Sequence, residues 1–203
     1  VLAATAATAA RSHASFGLLG APPSERRLAI RYVAFDDPSG RPALPRAAAE
    51  ASVRSVNRIW AQCGISFQLE QYRPVAPADY RLEFGLADMA ELDDVRNAFA
   101  EDDALLVVVT GKWRRSGSLG ESAANAWTSM PGGPPYGAIL EAPVAGFAGL
   151  VAHELGHYLG LSHERDVRDL MSSIIYTDST RLTPGECSTA RAVADADWKR
   201  MER

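Results

Sequence analysis

Two hydrophobic periods take turns along the chain. Leu28 to Phe35 is an apolar run broken only by Arg31 and ended by Asp36-Asp37-Pro38-Ser39-Gly40, which predicts a strand closed by a turn. From Pro45 to Gln62 the period changes. Val53, Val56, Trp60 and Cys63 recur at helical spacing and fall on one face, and Gly64 is placed as a C-terminal stop. Ile65, Phe67 and Leu69 then alternate with Ser66, Gln68 and Glu70, the pattern of a half-buried strand over 65–72. Tyr80 to Phe84 reads as a further short strand, and 88–101 as a helix with acidic residues on its wet face. Leu105 to Thr110 is a continuous apolar, β-branched run, as in a strand buried on both faces. Residues 111–138 are rich in Gly, Ser and Pro and predict mostly loop, followed by Ile139-Leu140-Glu141 as a short edge strand. A helix is expected from Phe147 to Leu159, and another opens at Leu182-Thr183-Pro184, with Thr183 as N-cap and Pro184 in its first turn. Strands and helices interleaved in this order predict a mixed sheet with helices packed behind it.

Composition narrows the class. The 203 residues suit one domain with a sizeable core. A net charge of -4 gives no basic surface for nucleic acid or an anionic membrane. No stretch approaches the roughly 18 to 20 apolar residues of a membrane span. Residues 1–25, Ala and Thr rich at the start and ending near Ala21-Pro22-Pro23-Ser24, read as a loosely held tail or the remnant of a processed leader, and 26–203 as the folded domain. Cys63 and Cys187 lie far apart and away from any CxxC spacing. They are compatible with two buried thiols or with one disulfide, which an oxidising compartment would allow.

The chemistry is concentrated in one window, His153-Glu154-Leu155-Gly156-His157-Tyr158-Leu159-Gly160-Leu161-Ser162-His163, which holds three of the chain's 4 histidines. His153 and His157 lie one turn apart on one helix face, so their imidazoles can converge on a single zinc ion. Glu154 is offset around the helix and can face a metal-bound water, as a general base must. A catalytic zinc usually takes three protein ligands, and His163 is the third if the helix ends and the chain turns back sharply. Gly160 stands where that turn is needed, because glycine tolerates positive φ. The remaining histidine, His13, reads as a tail residue.

This HExxHxxGxxH pattern, followed by Asp169-Leu170-Met171-Ser172, resembles the metzincin clan of zinc peptidases, and its short connection to the methionine resembles the matrixins. Val56 to Ile65 is similar to the backing helix and following strand of bacterial members. The resemblance implies an α+β fold. Its mixed, mostly parallel twisted sheet would carry an edge antiparallel strand, a backing helix, an active-site helix and a C-terminal helix. It also implies one catalytic zinc ion, a methionine turn in which Met171 floors the three imidazoles, and a primed-side pocket shaped by Ser172, Ser173, Ile174, Ile175 and Tyr176. The sequence departs from the animal matrixins between 111 and 146, where there is no histidine and the acids are Glu121 and Glu141. No second zinc and no matching calcium sites are therefore expected. Ser173 stands where astacins and serralysins have a metal-binding tyrosine, so no tyrosine ligand is expected. For latency, the tail before residue 28 offers only Glu25 and His13 as weak ligands, and no cysteine.

The implied activity is that of a zinc endopeptidase, acting as a monomer on peptides held extended along the Ile139–Glu141 edge, outside the cell or in a periplasm. Two other readings remain at this level: a zinc hydrolase dedicated to one partner protein or a non-peptide amide, and a zinc-bound recognition module without turnover.

Overall fold

The structure, a computed structural model, describes residues 24–101, 103–114, 116–122, 124–129 and 134–203. The expected tail up to residue 23, with His13, lies outside them. In chain order the elements are β1 (Arg26–Phe35), α1 (Arg46–Trp60), β2 (Ile65–Val75), α2 (Met89–Phe99), β3 (Leu105–Thr110), α3 (Ser118–Ser122), β4 (Ala126–Thr128), β5 (Ala138–Glu141), α4 (Ala148–Tyr158) and α5 (Pro184–Asp197). The strands form one sheet in the order β2-β1-β3-β5-β4. The pairs β1/β2, β1/β3 and β3/β5 are parallel, and β4/β5 is antiparallel. This is the mixed, mostly parallel α+β architecture expected.

Two hydrophobic layers sandwich the sheet, which explains the uninterrupted apolar run of β3. Leu105, Val107 and Val109 enter the core shared with α1 and α4, while Leu106 and Val108 face the core built on α2 with Leu92, Val95 and Phe99. On α1, Val53, Val56 and Trp60 are buried, and the Trp60 indole N–H donates to Ala152 O on α4 at 3.2 Å. The helix gives way to a short 3-10 turn over Ala61–Cys63, and Gly64 takes the left-handed conformation (φ 62°) that releases the chain into β2. Cys63 and Cys187 form a disulfide that ties this turn to α5. The last helix opens with a capping box: Thr183 Oγ1 accepts from the Glu186 backbone N–H, and the Glu186 carboxylate accepts from that of Thr183.

Two expectations are corrected. Tyr80–Phe84 is no strand. Pro77–Tyr80 is a 3-10 turn, and Arg81 at φ 59° breaks any extended run; Leu82 and Phe84 then pack against the α2-side core. Ile139–Glu141 belongs to β5, which is paired on both sides and fully buried. The edge is β4, Ala126–Thr128, inside the segment expected to be mostly loop. Three residues are too few to establish a period, and only pairing with β5 makes them a strand.

Replacing both cysteines (Cys63→Ala with Cys187→Ala) should lower unfolding stability by about 2–4 kcal/mol, because the bridge closes a long loop. Urea denaturation of both forms under non-reducing conditions measures it.

Candidate metal centre

The helix α4 is apolar almost all round, since α1 and the sheet both press on it, and every residue from Val151 to Tyr158 is buried. His153 and His157 therefore leave water together. Each needs a partner for one ring nitrogen, and each finds a backbone carbonyl: His153 Nδ1 lies 2.8 Å from Leu170 O and His157 Nδ1 lies 2.8 Å from Leu161 O. A carbonyl only accepts, so both Nδ1 atoms carry the proton and both Nε2 lone pairs are left to bind a cation. Burial pushes His153 down to about 4, outweighing the Leu170 bond, and lowers His157 as well. Both rings are thus neutral near pH 7, the form in which imidazole is a ligand.

The helix stops as expected. Gly160 has φ +79°, and a Cβ there would stand 2.8 Å from Val193 Cγ2 on α5, so backbone conformation and packing both demand glycine. The turn returns His163, which is exposed, to the other two rings. Ring centroids are 4.6 Å (His153–His157), 5.2 Å (His153–His163) and 4.8 Å (His157–His163) apart, and the three potential ligand atoms lie within 4.8 Å of one another. Ligands of one tetrahedral zinc stand about 3.3 Å apart, a spacing of the same order. Three imidazoles are a donor set suited to zinc.

After His163 the chain doubles back. Glu164 N–H donates to Met171 O at 2.8 Å, and the buried Asp169 carboxylate accepts from Met171 N–H at 2.9 Å. Met171 is fully buried against α4: a Cβ on Gly156 would stand 2.4 Å from its sulfur. Gly156 was not singled out from the sequence. A signal was present, since a glycine inside a helix costs about 1 kcal/mol relative to alanine and so calls for a packing reason.

Glu154 is buried, and one wall of the cleft supplies its partner. The Thr128 hydroxyl on β4 donates to Glu154 Oε2. Burial pushes this carboxyl up to about 7, opposed by that hydrogen bond, by the charge of Arg96 and by the Thr128 backbone N–H. Thr128 and Arg96 were also missed, as their link to Glu154 crosses from other elements.

The three histidines and Glu154 line a cleft of about 890 Å³. Ala126, Trp127 and Thr128 of β4 border it, as do Ser173, Ile174 and Ile175, with Val144, Phe147 and Leu150 completing an apolar recess. Of the predicted pocket residues, Ser172 is instead buried in the turn with its hydroxyl on Ile174 O (2.8 Å), and Tyr176 is an exposed residue tied through its N–H to Ser179 Oγ. A separate hollow of about 530 Å³ beside β2, at Arg27, Asn57 and Phe67, is remote from these groups in the sheet order.

Sheet, helix and histidine cluster together define a metzincin-like fold that carries a candidate metal site. More narrowly, the family model of the matrixin peptidases matches residues 28–187, and the chain belongs to that family. Among solved structures, metalloproteinase-II from Bacteroides fragilis is similar in fold, with a TM-score of 0.54 and 13% sequence identity. The match covers 84% of this chain and 54% of that one, so the chain spans about half the length of that structure. Comparison with curated protein sequences gave no match.

Gly156→Ala should lose about 1–3 kcal/mol of stability, because the new methyl must displace the Met171 thioether. Chemical denaturation monitored by tryptophan fluorescence checks this.

Proposed function

We propose that this chain is a zinc-dependent endopeptidase in which His153, His157 and His163 hold the metal and Glu154 is the general base and acid. The observation that carries the reading is the convergence of three imidazoles, two with their Nδ1 atoms committed to carbonyls, in a cleft that also contains a buried carboxylate. Bound zinc would lower the pKa of a water towards about 7 and polarise the scissile carbonyl. Glu154 takes a proton from the attacking water and delivers it to the departing amine nitrogen. Its elevated affinity for protons, from burial, suits a group that must both accept and return one, and a nearby dication would draw that affinity down again.

The substrate lies extended along β4 rather than along Ile139–Glu141. Among the described residues that short strand pairs with β5 on one side only, so its other side offers backbone N–H and C=O groups for β-augmentation. The recess of Val144, Phe147, Leu150 and Ile175 receives an apolar side chain next to the cleaved bond, and Met171, packed on Gly156 of α4, is the floor beneath the metal ligands. The disulfide favours an exported enzyme, secreted, periplasmic or at the cell surface. No helix among the described residues is long and apolar enough to cross a membrane. We take the working form to be a monomer.

A chelator should abolish cleavage of a mixed peptide library, and added zinc should restore it; activity that survives metal removal would sink the proposal. Glu154→Gln should keep one zinc per chain by atomic absorption while kcat falls by roughly 10²–10⁴. A wild-type rate from that variant would strip Glu154 of its role. Hydrolysis of one protein substrate but of no library peptide would instead favour a dedicated hydrolase.

A further inference from the structure

Glu154 reaches the cleft on a side chain with three rotatable bonds, and a general base must be held in one orientation to act. Nothing on α4 itself does this. Among the described residues, the side chain that bonds its carboxylate is Thr128, from the opposite wall. Thr128 Oγ1 also stands 3.3 Å from Glu154 O. Both neighbours are acceptors and a hydroxyl has one proton, so that proton goes to the nearer atom, Oε2. Oε1 is left for the chemistry.

We propose that Thr128 is a positioning residue for Glu154, pinning Oε2 so that Oε1 alone exchanges protons; this rests on the peptidase reading above. The hydrogen bond serves both halves of the cycle. While Glu154 is a carboxylate, Oε2 accepts from Thr128. Once Oε1 has taken a proton from water, Oε2 is the carbonyl oxygen of the acid and accepts from Thr128 as before. When Oε1 passes that proton to the amine nitrogen released by C–N cleavage, the starting state returns. The Thr128 proton never leaves Oγ1, so no reorientation is needed between the two steps.

The anchor is itself held. A three-residue edge strand would fray if only β5 secured it. Arg96, buried on α2, donates to Trp127 O at 2.8 Å and to Gly137 O at 2.9 Å, clamping β4 to the residue that leads into β5, and Asp93 fixes the guanidinium at 2.7 Å. The strand whose outer edge takes the peptide is therefore the strand that orients the base.

Thr128→Val keeps the β-branched shape of the strand residue and the backbone N–H but removes the hydroxyl donor, whereas Thr128→Ser keeps the hydroxyl. In the zinc-loaded full chain, Thr128→Val should lower kcat by roughly 10- to 100-fold. Its KM and zinc content should stay at wild-type values, and Thr128→Ser should recover most of the rate. Thr128→Ala provides a second hydroxyl-free variant should the valine protein fold poorly, with the same loss expected. Crystal structures of the zinc-loaded variants give a readout apart from turnover. The Glu154 carboxylate should keep its orientation in Thr128→Ser and be rotated or split between conformers in the hydroxyl-free forms. Unchanged kcat with an unmoved carboxylate in Thr128→Val would overturn the proposal, as would a serine variant as impaired as the valine one. A wild-type protein that binds zinc and cleaves nothing would defeat the peptidase reading, while the carboxylate orientation would still decide the role of Thr128.

Discussion

Three imidazoles can meet at one point only if the backbone that carries two of them stops being a helix immediately afterwards. A continued helix would carry His163 away from His153 and His157 at about 1.5 Å per residue. Gly160 provides the reversal through its positive φ, and the segment that follows supplies Leu161 O and Leu170 O to the two buried rings. The chain after the helix thus delivers the third ring and fixes the tautomers of the first two. Glycine at 160, burial of α4 and the doubling-back at Met171 are parts of one geometric requirement.

Meeting it requires the end of α4 to be held from outside. The last helix and its C-cap residue do so at two points: Val193 packs where a Gly160 side chain would be, and the Trp198 indole N–H donates to Tyr158 O at 2.7 Å. The disulfide ties that helix, through Cys187, to the turn after α1. Since Trp60 on α1 bonds Ala152 O, α4 is gripped near its middle and at its C-terminus by helices that the bridge joins covalently. Backbone carbonyls that a free helix end would leave to water are thereby paired inside the protein.

The opposite wall follows a different logic. The strand β4 is short and bordered by loop, yet it presents an open edge to the cleft and a hydroxyl to Glu154. Its order comes from β5 and from Arg96, a cation kept out of water by two carbonyls and Asp93. A buried guanidinium satisfied in this way holds a loop-flanked strand in register where apolar contacts from three residues would not.

What could be read along the chain was what neighbouring residues decide between themselves. The spacing of His153, Glu154, His157, Gly160 and His163 is a statement about one helix and its end, and the apolar run of β3 or the face of Val53, Val56 and Trp60 reports burial directly through period. The sheet class, the backing helix, the Thr183 cap and the histidine cluster were legible for that reason. The cysteines left two options open, since pairing depends on where α5 lands. The edge strand was misplaced from Ala126–Thr128 to Ile139–Glu141, because edge or interior is settled by which strands lie alongside and not by a strand's own residues. The contacts Gly156–Met171, Thr128–Glu154 and Arg96–Trp127 likewise join atoms from separate elements. Local spacing determined which groups can bind a metal, and long-range packing alone decided which groups hold them still.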